Sequence, residues 1–168
     1  MIQDFLGGIR IMIKGILIRE MKTYGFTSLD EVFEVLDNRF LDYNWLFSMY
    51  ELHPNPEEIP FSKDYVWLDG HTMNRIAREH QMQVIWGVLT AYKKDIKLEQ
   101  VLEHELPWAD GNAEIWNPKL SMQNPLSEIE IIPWDSSLLV IKANSEEIIN
   151  DFKKEYPVSI DLEEYNNM

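Results

Sequence analysis

Period-two hydrophobic patterns predict most of the strands. Residues 8–18 alternate apolar and polar side chains and are rich in Ile, which favours a strand, although Phe5, Ile9 and Ile16 also fit a helical spacing. Two aromatic-rich runs, residues 43–52 and 65–68, predict further strands bounded by turn residues. The run 84–92 is almost wholly apolar, which predicts a central strand buried on both faces.

Helical spacing appears between these runs. Ser28 followed by Glu31 predicts a capping box that opens a helix with five inward residues, Leu29, Val32, Phe33, Leu36 and Phe40. Shorter helices are predicted at 71–79, after a cap at Asp95, and after a cap at Asn144. Pro157 ends the last helix, and the residues beyond it predict a frayed or draped terminus.

The carboxyl-terminal half also predicts a β-hairpin. Residues 128–131 alternate strictly between Glu and Ile, and a second apolar run follows at 138–141. Asp135, Ser136 and Ser137 form the turn, since their side chains can bond to their own backbone. Hairpins mixed with isolated helices predict one α+β domain over residues 1–168. It has a mostly antiparallel sheet and three to four short helices packed largely on one face.

Charge changes the picture of the possible partners. The 168 residues carry 29 acidic and 15 basic side chains, a net charge of -14, and 12% are aromatic. The aromatic content excludes a disordered acidic tail, and the sign of the charge disfavours nucleic acid and anionic membranes. Most of the excess lies in residues 28–62, with one Arg against eight acids, and 98–168, with four bases against fifteen acids.

The sequence also lacks several kinds of chemistry. It has no Cys, which excludes disulfides, thiolate catalysis and Cys-type zinc sites. No two of its four His residues have the spacing of a helical metal pair, so neither a metal nor a cofactor is expected. The start of the chain lacks a basic signal-peptide region, and no uncharged run is long enough to span a membrane. We therefore expect a cytoplasmic protein.

Asp69 and His71 are the strongest catalytic candidates. They follow a predicted strand, where His71 would act as a general base oriented by Asp69. The alternative is structural: Asp69 caps the next helix and Gly70 relieves the turn. Capping explains both residues without a substrate, so it is the preferred interpretation.

Six tryptophans offer a second kind of site. Trp45, Trp67 and Trp86 lie in predicted strands and are expected mainly in the core. The polar segment 107–125 is about twenty residues long, and connections of that length are more often functional or mobile than plain spacers. Its aromatic and acidic residues are the predicted binding residues: Trp108, Asp110, Glu114 and Trp116.

Three stretches, YNWLFSMYELHP, VIWGVLTAY and PLSEIEIIPWDSS, carry a resemblance. They resemble small acidic proteins of Bacillus-type bacteria, some of which are immunity proteins that neutralise a toxin. The resemblance implies a binding protein and no catalytic residue. The first hypothesis is therefore an inhibitor or immunity-type protein that binds a basic protein. The alternatives are an enzyme around Asp69 and His71, or a small-molecule binder with an aromatic pocket.

Overall fold

The computed structural model describes residues 2–6, 9–22 and 27–168, with residues 2–6 and 9–11 described by their backbone. Nine strands and five α-helices are assigned in these residues. The strands are β1 (Ile2–Leu6), β2 (Ile9–Met12), β3 (Lys14–Ile18), β4 (Tyr43–His53), β5 (Tyr65–Asp69), β6 (Gln83–Lys93), β7 (Ile129–Trp134), β8 (Leu138–Ala143) and β9 (Ile160–Asp161). The helices are α1 (Leu29–Leu36), α2 (Gly70–Glu79), α3 (Leu98–Val101), α4 (Glu146–Glu155) and α5 (Leu162–Asn166). Short 3₁₀ turns occupy Asp37–Asp42 and Ala113–Trp116.

An antiparallel sheet of seven strands organises the fold, in the order β5-β4-β6-β7-β8-β3-β9. The central strand β6 is buried on both sides through most of its length, as its apolar sequence predicts. β1 and β2 form a separate antiparallel pair. Residues 9–12 and 14–18 are thus strand rather than helix, and Gly8 lies outside the described residues.

Three helices, α1, α2 and α4, cover one face of this sheet. Their apolar stripes pack with alternate residues of the strands, and Trp45, fully buried, lies among them against Phe33 at a centroid distance of 5.2 Å. The prediction of an α+β fold with its helices largely on one face is confirmed. Full burial of one large apolar side chain in such a core stabilises the fold by about 1.5–3 kcal/mol.

The opposite face is covered mainly by chain without regular structure. We call residues 107–125 the covering loop. Its Ala109, Ile115, Leu120 and Met122 pack with Val88, Leu17, Ile132 and Val140 of the sheet, beside Leu162 of α5. The chain terminus is ordered rather than frayed, because β9 pairs with β3 and buries Leu162 directly after it.

Several predicted helix starts differ in detail. Ser28 precedes α1, but its side chain makes no capping bond, and Glu31 turns inward to accept hydrogen bonds from the Lys22 N–H and the Tyr156 hydroxyl. Helix α3 begins after Lys97 instead of Asp95 and has only one turn. Helix α4 is capped by Ser145, one residue later than predicted. Tertiary contacts therefore override the local capping preference at Glu31.

The predicted hairpin is present as β7 and β8. Asp135 and Ser136 both have positive φ angles, 49° and 57°, and the Ser137 N–H donates to the Trp134 carbonyl at 3.0 Å. Positive φ values at both central residues are those of a type I′ turn, and Ser137 completes a three-residue connection between the strands. The turn places Trp134 and Leu138 opposite each other at the end of the hairpin.

Candidate functional site

A buried ion pair lies between the sheet and the covering loop. Glu130 of β7 and Lys142 of β8 are opposite each other in the ladder, and their charged atoms are 2.7 Å apart. Their side chains are 0% and 4% exposed. The Lys142 ammonium also donates to the Ser121 carbonyl at 2.7 Å, so that a loop backbone group completes the pair. A buried pair is tolerated only when its remaining donors and acceptors are satisfied in this way.

Gln123 connects this ion pair to Trp108. The Gln123 backbone N–H and its side-chain amide both donate to the Glu130 carboxylate, at 2.9 and 3.3 Å. The Gln123 side-chain oxygen in turn accepts hydrogen bonds from the backbone N–H of Trp108 at 2.9 Å and from the side-chain amide of Asn112 at 3.1 Å. At the residue before Trp108, the Pro107 carbonyl accepts a hydrogen bond from the Ser48 hydroxyl at 2.8 Å. The backbone that carries Trp108 is therefore held from two sides.

A β-bulge in β4 shapes the neighbouring surface. The register between β4 and β6 shifts after Ser48, where Met49 takes a φ of 47° and Gly87 on the partner strand a φ of 156°. A side chain at Gly87 would meet the ring of Phe47 at 2.7 Å. Bulges redirect side chains, and here Met49 is turned to the surface with 47% of its area exposed.

We call the cleft beside this bulge the Trp108 groove; its volume is about 380 Å³. Its apolar lining includes Met49, Phe61, Trp86 and Trp108. Its charged lining consists of three carboxylates and one amine, from Glu51, Asp64, Asp110 and Lys63. Phe61 is 86% exposed, the most exposed aromatic side chain in the part of the chain whose burial is described. An apolar surface surrounded by charge of mainly one sign is typical of interaction sites.

A row of aromatic rings continues from this groove. Trp86 packs edge-on against Trp134, and Trp134 against Trp116, each with ring centroids 4.9 Å apart. Trp116 then contacts Tyr165 of α5 at 5.9 Å. A second cleft, the Trp116 groove, lies at this end, has a volume of about 660 Å³, and also contains Leu138 and Asn166.

The predicted binding residues are distributed over these features. Trp108 and Asp110 line the Trp108 groove, and Trp116 lines the Trp116 groove. Glu114 is exposed at the start of a 3₁₀ turn and lines neither cleft. Sequence reasoning missed Met49 and Phe61, which belong to a bulge and to a Pro-bounded loop. The Pro and Asn cluster before Phe61 signals a loop but not that this loop and residues 108–110 line one cleft.

The three tryptophans in strands differ in burial, although all three were expected mainly in the core. Trp45 belongs to the core, whereas Trp67 and Trp86 are only half-buried. Trp67 packs on Tyr92, with ring centroids 5.6 Å apart, and lines a third cleft of about 710 Å³ that follows β5. We call this cleft the β5 edge groove.

Asp69 has a structural role at the start of α2. Its carboxylate accepts the Thr72 N–H at 2.8 Å and caps α2, and this hydrogen bond lowers the pKa of Asp69. His71 is exposed on the first turn of the helix, and neither residue lines the three clefts. The geometry thus agrees with capping, and a general-base role for His71 stays a prediction.

Replacing this cap should weaken the fold at neutral pH. We expect Asp69→Ala to lower the free energy of unfolding by about 1 kcal/mol, and Asp69→Asn to retain most of it, since Asn caps equally well. Because the pKa of Asp69 is lowered in the folded state, its contribution is present above the unfolded pKa and disappears as the pH falls through the folded value. Urea unfolding at neutral and acidic pH measures this. Equal stability of Asp69→Ala and wild type at pH 7 would contradict it.

No group of three or more His, Asp or Glu side chains in the part of the chain that the structure describes is arranged to hold a metal ion. None of the helices that the structure describes has the length and apolar character needed to cross a membrane.

Comparison with known proteins identifies no relative of this chain. No protein-family model matches it, and neither do the curated proteins or the solved structures.

Proposed function

We propose that this protein binds a basic protein in the cytoplasm through the Trp108 groove, as an inhibitor or immunity-type module. The observation that carries the proposal is the combination in one cleft of exposed apolar side chains with three carboxylates and one amine. The apolar part supplies buried area on association, and the carboxylates select the sign of the partner's charge.

The aromatic rings support binding of Lys or Arg in particular. A cation over the face of a Trp ring is stabilised by about 0.5–1 kcal/mol at an exposed site and by more when water is excluded. Trp86 and Trp108 line the same cleft as Glu51, Asp64 and Asp110, so an inserted cation can meet both rings and carboxylates. The net charge of -14 adds long-range attraction, which accelerates association with a basic partner at low salt.

The rigidity of the site also supports a binding function. Trp108 belongs to a loop, but Gln123 fixes its backbone and the Glu130–Lys142 pair fixes Gln123. A side chain held in place before binding loses less conformational entropy on association, which improves affinity without new contacts. The enzyme and the aromatic-pocket hypotheses stay predictions.

Site-specific photo-crosslinking in the source cells tests this function. Phe61 is replaced by the photo-crosslinking residue p-benzoyl-phenylalanine, and in a control protein Val158 is replaced instead. Val158 is 80% exposed and precedes β9, at the opposite edge of the sheet. We expect the Phe61 position to yield one discrete adduct with a basic protein, and the Val158 position to yield none.

The same adduct should disappear when Trp108→Ala is added to the Phe61 crosslinker protein. Adducts of equal intensity from both positions, a partner of net negative charge, or an adduct insensitive to Trp108→Ala would each contradict the proposal.

A further inference from the structure

Strand β5 forms an open edge of the seven-stranded sheet. It pairs with β4 through residues 65–69, and no other strand in the described part of the chain pairs with it. The opposite edge is β9, which has only two residues. An edge strand carries unpaired backbone N–H and C=O groups that can pair with another chain.

The ladder shows which backbone groups of β5 face outward. The Asp64 carbonyl accepts the Met49 N–H of β4 at 2.7 Å, so Asp64 faces β4. Backbone groups alternate in direction along a strand, so Val66 and Leu68 also face β4. Tyr65 and Trp67 therefore direct their N–H and C=O groups away from the sheet.

The β5 edge groove has a wall on each side of these groups. Glu57, Glu58 and Pro60 line it from the loop before β5. Glu58 pairs with Arg75 of α2 at 2.8 Å, which places that wall on the helical face of the sheet. Leu98 lines the other wall, next to Trp67. The floor is the strand itself, residues 65–68, so the groove has the form of a slot for one more strand.

We infer that the basic partner contributes an extended segment that adds to the edge of β5 as an eighth strand of the sheet. This inference rests on the proposed function. Main-chain hydrogen bonds to Tyr65 and Trp67 would hold the segment, and its alternate side chains would contact the two walls.

The charge of the β5 edge groove, and the residues that it shares with the Trp108 groove, indicate which molecule occupies it. Glu57, Glu58 and Asp64 against Lys63 give the groove an acidic lining, which favours basic side chains in the added strand. A second copy of this chain would instead bring together two molecules of charge -14. Lys63 and Asp64 line both the β5 edge groove and the Trp108 groove, so one partner can occupy the two clefts together.

Tyr65→Pro tests the inference, with Tyr65→Ala as the matched control. Both variants lose the ring, but only Pro removes the outward N–H, and Pro is tolerated at the first residue of an edge strand. The probe is a library of random dodecapeptides displayed on phage and selected on wild-type protein. We expect selected peptides with alternating basic and apolar residues. Measured by fluorescence anisotropy, they should bind Tyr65→Pro about tenfold more weakly than Tyr65→Ala.

Amide hydrogen exchange gives a second measurement that does not depend on a variant. In the free protein the Trp67 amide should exchange fast, while those of Val66 and Leu68 exchange slowly. A bound peptide should protect Trp67. If the Trp67 amide is already protected in free protein that sediments as a dimer, a second copy occupies the edge and the inference is overturned.

The failure of this inference can be distinguished from failure of the proposed function by adding Trp108→Ala. If Tyr65→Pro and Tyr65→Ala bind the peptides equally while Trp108→Ala weakens them, the proposed function stands and strand addition is wrong. If Tyr65→Pro alone weakens them, strand addition stands and the Trp108 groove is not the contact. If no peptide is selected, or if neither Tyr65→Pro nor Trp108→Ala weakens the selected ones, strand addition is overturned.

Discussion

Lys142→Met is expected to lower the free energy of unfolding by about 3–5 kcal/mol, because it leaves the carboxylate of Glu130 buried without its cation. The Glu130 side chain is 0% exposed in the folded protein. Met fills a similar volume, so the loss reports on charge rather than on a cavity. Urea unfolding followed by far-UV circular dichroism measures it.

A second substitution separates the charge from the packing. Adding Glu130→Gln to Lys142→Met removes the unpaired charge but keeps an oxygen that can accept the Gln123 N–H. We expect the double variant to recover about 1–3 kcal/mol of the loss, the usual cost of an unsatisfied buried group.

The matched control is a neighbouring ion pair whose lysine is exposed. Lys93 and Glu128 are 3.4 Å apart, and the Lys93 side chain is 62% exposed. Lys93→Met should therefore cost no more than about 1 kcal/mol. Equal losses for Lys142→Met and Lys93→Met, or no recovery in the double variant, would contradict the assignment of Glu130 and Lys142 as the anchor of the covering loop.

Gly70→Ala is expected to destabilise the protein by about 3 kcal/mol, the upper range for an overpacked site. A Cβ at position 70 would lie 1.9 Å from the Phe40 carbonyl oxygen and 3.0 Å from that of Tyr43. These are backbone atoms of the 3₁₀ turn before β4 and of the first residue of β4, which cannot rotate away as a side chain can. The loss would occur even though Ala is intrinsically more favourable than Gly in a helix.

His71→Ala is the control for this variant, one residue further along α2. His71 is exposed, so a change within about 0.5 kcal/mol is expected. A melting temperature for Gly70→Ala equal to that of wild type would show that the turn can move. Gly70 would then lose its structural explanation, whereas the cap that Asp69 provides to α2 would be unaffected.

Local patterns predicted the helices and strands whose apolar residues lie close together in the sequence. The 3.6-residue stripe of α1, the aromatic run of β4 and the alternation of β7 are each signals contained within one short stretch of sequence. These patterns were sufficient to predict an antiparallel α+β fold. The role of Gly70 was not predictable in full, because its approach to Phe40 depends on where the preceding turn lies in space.

Long-range polar contacts were not predictable from the sequence. Glu130 alternates with Ile129 and Ile131, a pattern typical of a strand with one face in water, yet it is fully buried beneath the covering loop. The loop shows no periodicity, since isolated residues such as Gln123 attach it to partners on different strands. Trp108 and Asp110 were nevertheless predicted as binding residues, because the length and the polar, turn-rich composition of the segment marked it, and both line the Trp108 groove.

The dissociation constant of the partner captured at Phe61, measured with Trp108→Ala, tests the central claim most directly. Trp116→Ala is the matched control, since Trp116 lines the other cleft. Loss of a central aromatic contact costs about 2 kcal/mol or more, so we expect Trp108→Ala to weaken binding by about 30-fold and Trp116→Ala by much less. Unchanged affinity for Trp108→Ala, in a variant whose melting temperature and circular dichroism match those of wild type, would contradict the claim.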